Sequence, residues 1–144
     1  MELELIAVDP GERHVGIAIW TRQGGMRSYE LAPFLALEAI EKQFRPLRPG
    51  LPKRQQLVVE EFRLYPDKAG AQSHKRMATS EMIGALRWIA KKAGVPVEMQ
   101  GANIKIPTSR QCTSLRLEWR TDSIHAQDAR LHAYHWLLKN EVIK

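Results

Sequence analysis

Apolar and polar positions divide this chain into short hydrophobic runs and longer periodic stretches. Leu3 to Asp9 is a nearly unbroken apolar run halted by Pro10-Gly11, which predicts a buried strand ending in a turn. Val15 to Trp20 predicts a second strand, Thr21 to Gly25 a turn, and Arg27 to Leu31 a third strand completing an antiparallel meander. Phe34, Leu35, Leu37, Ile40 and Phe44 fall at helical spacing. Arg45 to Pro52 holds three prolines and a glycine and reads as a loop. Leu57 to Phe62 predicts a short, strongly hydrophobic strand, and the aperiodic, basic Arg63 to Arg76 a mobile loop. From Thr79 to Ala93 the apolar residues Met82, Ile83, Leu86, Ile89 and Ala90 mark one helix face, stopped by Gly94 and Pro96. Val95 to Met99 predicts another strand. Lys105 to Arg120 has no clear period and reads as loop with at most a helical turn. Asp122 or Ser123 can cap a last helix reaching about Asn140.

Against this pattern three acids are out of place. Asp9 ends the first apolar run, Glu60 follows Leu57-Val58-Val59, and Asp128 lies within the apolar stretch from Ile124 to Leu138. A carboxylate beside buried strand residues is costly unless it is paired or holds a cation. Acids at the start, middle and end of the chain can share one cation if the fold gathers them. Each has a plainer reading. Asp9-Pro10-Gly11 can be an Asx-type turn, and Glu60-Glu61 can be edge-strand charges. In a strand Glu60 and Glu61 point to opposite faces, so only one shares a face with Val58. His125 and Asp128 stand at i, i+3 on the predicted last helix, close enough to bind one cation, but such a pair also occurs on ordinary helix surfaces. His132 and His135 extend that stripe and read as polar residues flanking the core.

Composition narrows the classes. At 144 residues the chain reads as a single domain able to bury a core, and 44% hydrophobic content suits a soluble globule. Net charge +6 and a pI near 9.7 favour an anionic partner, nucleic acid foremost. The single Cys112 excludes a disulfide framework and a multi-cysteine zinc site, and reads as inert packing in a reducing compartment. No apolar run approaches a membrane span, and Met1-Glu2-Leu3-Glu4 does not read as a signal peptide. A soluble, cytoplasmic protein is expected.

The order of elements is three strands, helix, strand, helix, strand, helix. With it come Ile6-Ala7-Val8-Asp9-Pro10-Gly11 and Gly16 on the first hairpin, Val58-Val59-Glu60-Glu61-Phe62 on the fourth strand, and His125-Ala126-Gln127-Asp128-Ala129 on the last helix. In these features the chain resembles the RuvC family of Holliday junction resolvases, within the ribonuclease H-like superfamily. Phe62-Arg63-Leu64-Tyr65-Pro66 and Ile104-Lys105-Ile106-Pro107-Thr108 resemble stretches of its small phage-encoded members. The resemblance spans nearly the whole chain.

It implies an α/β fold with a mixed five-stranded sheet, three antiparallel strands and then parallel ones, flanked by helices. It implies a metal-dependent endonuclease that resolves branched DNA. The implied metal ligands are Asp9, Glu60, His125 and Asp128, with Lys105 near a basic residue that helps hold DNA at the active site. The doubled Glu60-Glu61 leaves the choice of glutamate open, and the chain is shorter than cellular resolvases. Two Mg²⁺ ions roughly 3.5–4 Å apart would activate water and stabilise an in-line displacement, leaving 5′-phosphate and 3′-hydroxyl ends. An imidazole ligand allows Mn²⁺ to substitute.

DNA would be held by two basic segments. One comprises Lys42, Arg45, Arg48, Lys53 and Arg54, and the other Arg63, Lys68, Lys75 and Arg76. Tyr65 is placed to stack on an unpaired base. Solvated loop charge is the plainer alternative for any one of them. Two sites acting on a four-way junction call for a homodimer, and Trp88 belongs either to its interface or to the core. No small-molecule cofactor and no membrane partner are expected, and the host cytoplasm is the expected compartment if the protein is phage-encoded. Three rivals remain: a YqgF-like nuclease acting on RNA, an actin-like or sugar-kinase ATPase, for which the length leaves no room, and a branched-DNA-binding protein without catalysis.

Overall fold

The structure, a computed structural model, describes residues 2–44, 53–62 and 69–144, with side chains described for all of these except 53 and 69–77. The first three strands, β1 (Glu2–Asp9), β2 (Val15–Thr21) and β3 (Gly25–Leu31), form an antiparallel meander. Helix α1 (Pro33–Phe44) precedes β4 (Lys53–Glu60), which returns parallel to β1. Helix α2 (Ala69–Ala93) leads to β5 (Val97–Gln100), parallel to β4. A single 3₁₀ turn, Ala102–Ile104, joins β5 to α3 (Lys105–Ser114), and α4 (Ile124–Lys139) follows. The sheet order is β3-β2-β1-β4-β5, so β1 is the central strand.

The two-residue strand period splits the core between the sheet faces. Ile6 and Val8, with Ile17, Ile19, Leu57 and Val59, pack against Ala36, Ile40, Met82 and Leu86 of α1 and α2. Leu5 and Ala7, with Ala18, Trp20 and Val58, pack against Ala129, Ala133 and Leu137 of α4 and against Cys112 of α3. Asp9 and Glu60 continue the second set, two residues beyond Ala7 and Val58. Both therefore emerge on the α4 face.

Four elements differ from the sequence reading. Strand β4 begins at Lys53, not Leu57, and ends at Glu60, so Glu61 and Phe62 lie beyond it. Residues 53–56 pair with Glu2 to Leu5 of β1, and that ladder sets the strand more than its apolar content does. The polar Gln55 is accommodated because its amide donates to Glu4 Oε1 and Gln43 O, both at 2.8 Å. Helix α2 starts at Ala69, inside the stretch read as a loop. That stretch has no apolar period, but its Ala, Gln, Lys and Arg are good helix formers. Lys105–Ser114 is a full helix, not a turn. Only Thr108 and Cys112 of it are buried, a stripe too narrow to read, and Pro107 sits in the first turn where proline is tolerated. Strand β5 spans Val97–Gln100, two residues later at its start than expected.

The stops behave as read. Gly94 takes a left-handed φ of 72°, and Val95 N–H closes α2 by donating to Ala90 O at 2.9 Å. Ser123 caps α4, its hydroxyl accepting from Ala126 N–H at 3.2 Å. The predicted loop Arg45 to Pro52 lies outside the described residues.

Candidate metal centre

Parallel register makes the centre. Ala7 pairs with Val58 and Val8 with Val59, which brings Asp9 and Glu60 level at the C-terminal ends of adjacent strands. Helix α4 lies across the same face, and its N-terminal turn delivers His125 and Asp128. This crossing is close. A side-chain carbon at Gly16 on β2 would overlap the carbonyl of His125, so only glycine lets α4 approach here. One at Gly11 would overlap the His14 carbonyl, which keeps the Asp9–His14 turn tight.

Asp9, Glu60 and Asp128 each offer a carboxylate oxygen within 4.8 Å of the others. Asp9 and Glu60 are buried and Asp128 is half-buried. Lys105, the first residue of α3, places Nζ 3.1 Å from Glu60 Oε1 and 3.0 Å from Asp128 Oδ2. His125 lies beside Asp9, with Nδ1 3.1 Å from Asp9 Oδ2. Glu61 donates its N–H to Gln100 O at 2.8 Å, and its side chain lines the same cleft. The cleft encloses about 700 Å³ and is lined also by Glu12, Arg13, His14, Phe62, Thr79 and Asn103.

The carboxylates pull each other's protonation apart. Burial, then the hydrogen bond and charge of Glu60 and the charge of Asp128, push Asp9 up to about 9, with Lys105 opposing. For Glu60 burial also favours the neutral form, but hydrogen bonding from His132 and Asp9 and the charges of His132 and Lys105 outweigh it. Its carboxyl is held well below the usual range. The His132 contact, at 3.6 Å, is just longer than a hydrogen bond, so we regard it as electrostatic. Lys105 is raised: burial works against its charge, but Asp128 and Glu60 more than restore it. One proton shared between Asp9 and Glu60, and one ammonium between Glu60 and Asp128, are what a cluster of close acids requires without a stronger cation. Oxygen donors at this spacing fit a hard divalent ion.

The structure thus brings together five residues singled out in the sequence: Asp9, Glu60, His125, Asp128 and Lys105. Arg54 is exposed at the start of β4, six residues before Glu60 and roughly 20 Å away along the strand. Lys53 shares that end of the strand, and Lys75 and Arg76 fall within α2. Arg45, Arg48, Arg63, Tyr65 and Lys68 lie outside the described residues. Two residues at the centre were not anticipated. Arg13 joins Lys105 on the cleft wall, a position signalled only by its closeness to Asp9. His132, read as flanking the core, is fully buried behind Glu60. Its spacing of seven from His125 was the available signal. Trp88 is 60% exposed, which removes it from the core. Cys112 is buried among apolar groups, which push its thiol up to about 11 and keep it inert.

No protein-family model matches the chain, and no curated protein matches it by sequence. Solved structures do. The chain is similar to Thermus thermophilus RuvC in complex with Holliday junction substrate, at 16% identity over 96% of each chain and a TM-score of 0.63. It is similar to a second structure of Thermus thermophilus RuvC at 16% identity, again over 96% of each chain, with a TM-score of 0.62. The fold is therefore ribonuclease H-like and, within that class, RuvC-like. No described helix is long and apolar enough to cross a membrane.

Proposed function

We propose that the chain is a divalent-cation-dependent endonuclease that cleaves branched DNA, resolving four-way junctions. The observation that carries this reading is the convergence of Asp9, Glu60 and Asp128 within 4.8 Å, at strand ends where the sheet meets α4 in a RuvC-like fold. The RuvC structure solved with a Holliday junction supports the choice of substrate. The likeness of Phe62–Pro66 and Ile104–Thr108 to phage resolvases supports a phage-encoded member acting in the host cytoplasm.

In this reading Asp9, Glu60, Asp128 and His125 hold two divalent cations. These would supply an activated water and neutralise charge on the phosphoryl oxygens during in-line displacement. The remaining chemistry belongs to the chain. Asp9, on the central strand beside both Glu60 and His125, would be a ligand at the middle of this set. His125 steadies Asp9 through its 3.1 Å contact and, as an imidazole, widens tolerance toward Mn²⁺. Lys105, whose Nζ now bridges Glu60 and Asp128, would be displaced from them by bound cations and would offer its ammonium to the DNA backbone. Arg13 offers a second cationic contact on the same wall. Exclusion of water is partial, as suits a cleft that must admit a duplex arm.

Junction resolution needs two such sites, so the working unit is a homodimer. The exposed Trp88 on α2, on the sheet face opposite α4, is the anchor we assign to its interface. The test is cleavage of a synthetic four-way junction in Mg²⁺, beside flap, duplex and structured RNA. Wild type is expected to cut the junction, and Asp9→Asn to bind it without cutting. The rate loss should exceed about 100-fold, because removing even a residue that merely supports a metal ligand costs about 10–100-fold. Preferential cleavage of structured RNA would point to the YqgF-like alternative, and binding without cleavage by wild type to a non-catalytic junction binder.

A further inference from the structure

His132 is the one described residue with a buried side-chain nitrogen that lacks a hydrogen-bond partner. It lies on α4 two turns after His125 and is 0% exposed. Its Nδ1 is 2.8 Å from Gln100 Oε1. The Gln100 amide is itself fixed, because its Nε2 donates to Glu98 Oε2 at 3.1 Å. That leaves Oε1 toward the imidazole, and since a carbonyl oxygen only accepts, Nδ1 carries a proton. The opposite nitrogen, Nε2, faces Glu60 Oε2 at 3.6 Å, a contact that attracts the carboxylate only when Nε2 carries a proton as well, since a carboxylate oxygen can only accept. The other oxygen of Glu60 is engaged by Lys105 at 3.1 Å.

A leucine would fill this volume without the unmet nitrogen Nε2, at the cost of the Gln100 contact. The imidazole instead stands in a chain running from β5 through α4 to β4: Glu98, Gln100, His132, Glu60. We propose that His132 is a positioning residue that fixes the Glu60 carboxylate for the divalent cation; this rests on the cation-dependent nuclease reading above. Lys105, on Oε1 at the cleft wall, is the partner that a cation would replace. His132 holds the opposite oxygen from the buried side and stays.

Partners that orient a metal ligand from behind typically change metal affinity about 10–100-fold when removed. The test is Mn²⁺ binding to the full chain, followed by the electron paramagnetic resonance signal of free Mn²⁺. Wild type, His132→Leu and His132→Gln are compared. Leucine keeps the bulk and loses the polar contact, whereas glutamine can present an amide near the place of Nε2. The expected result is binding weakened about 10–100-fold in His132→Leu and largely restored in His132→Gln. Junction binding without divalent cation should be the same in all three. If His132→Leu does not fold, Gln100→Leu, which keeps the imidazole but frees it, is expected to weaken Mn²⁺ binding in the same direction. Wild-type affinity in His132→Leu, or equal weakening in both His132 variants, would overturn the proposal. Failure of wild type itself to bind Mn²⁺ would overturn the nuclease reading and this inference with it.

Discussion

Asp9 keeps its proton because burial and the neighbouring acids make a second negative charge unfavourable. The sign of the pH effect follows from that. The unfolded chain releases this proton near 3.8 and the folded, cation-free protein near 9, so between those values the native state binds the extra proton. This contribution to stability is therefore full below about 3.8 and is lost as pH rises toward 9. Glu60, depressed, works the other way, but only below its ordinary value of 4.5. Urea unfolding of EDTA-treated protein should accordingly show stability falling from pH 5 to pH 9, with a flatter profile in Asp9→Asn. Mg²⁺ binding at pH 7 should release about one proton, measured by calorimetry in buffers of different ionisation enthalpy. The out-of-place acids were readable as residues, because a carboxylate at the end of an apolar run has few inexpensive explanations. His132 was not, because its spacing of seven from His125 places it on the same stripe without distinguishing a histidine behind a carboxylate from one beside the core.

Helix α4 and strand β2 must touch for the centre to exist, and Gly16 permits the contact. Gly16→Ala is expected to push the first turn of α4 away from the sheet. The loss of stability should be about 1–3 kcal/mol, as for other overpacked sites. Cleavage should fall further than stability, since His125 and Asp128 move together; thermal unfolding and junction cleavage on one preparation would check this. Helix α3 matters through its first residue. Lys105→Met removes the ammonium between Glu60 and Asp128, so these acids depend more on added cation. The rise in melting temperature on adding Mg²⁺ should be larger in that variant than in wild type, while junction cleavage falls. The strands of the meander, α1 and α4 were legible because their apolar spacing is long and regular. The first turns of α2, most of α3 and the polar half of β4 were not, since they are set by helix propensity, a two-residue buried stripe and backbone pairing.

The whole molecule joins a basic chain to an acidic cleft, and those two features ask for different partners. If DNA is the partner proposed above, net charge +6 would hold it by contacts insensitive to sequence, so junction affinity should fall steeply with salt. On the proposed reading the acidic cleft repels phosphate without cations, so binding and cutting should separate: binding is expected to persist in EDTA and cutting is not. Trp88→Glu is expected to leave each cation centre intact but to yield a monomer in sedimentation, with the paired incisions of a four-way junction lost. The mixed sheet was legible through the family resemblance that the order of elements and the three acidic motifs carry. The remoteness of Arg54 from Glu60 was not, because distance along a strand becomes visible only when its register is known.

The most direct test of the cation cluster is a crystal of the protein soaked in Mn²⁺, with the anomalous difference map read around the ends of β1 and β4. Peaks coordinated by Asp9, Glu60 and Asp128 together are the predicted result. An ion held by Glu61 in place of Glu60, or no ion near Asp9 at all, would contradict it.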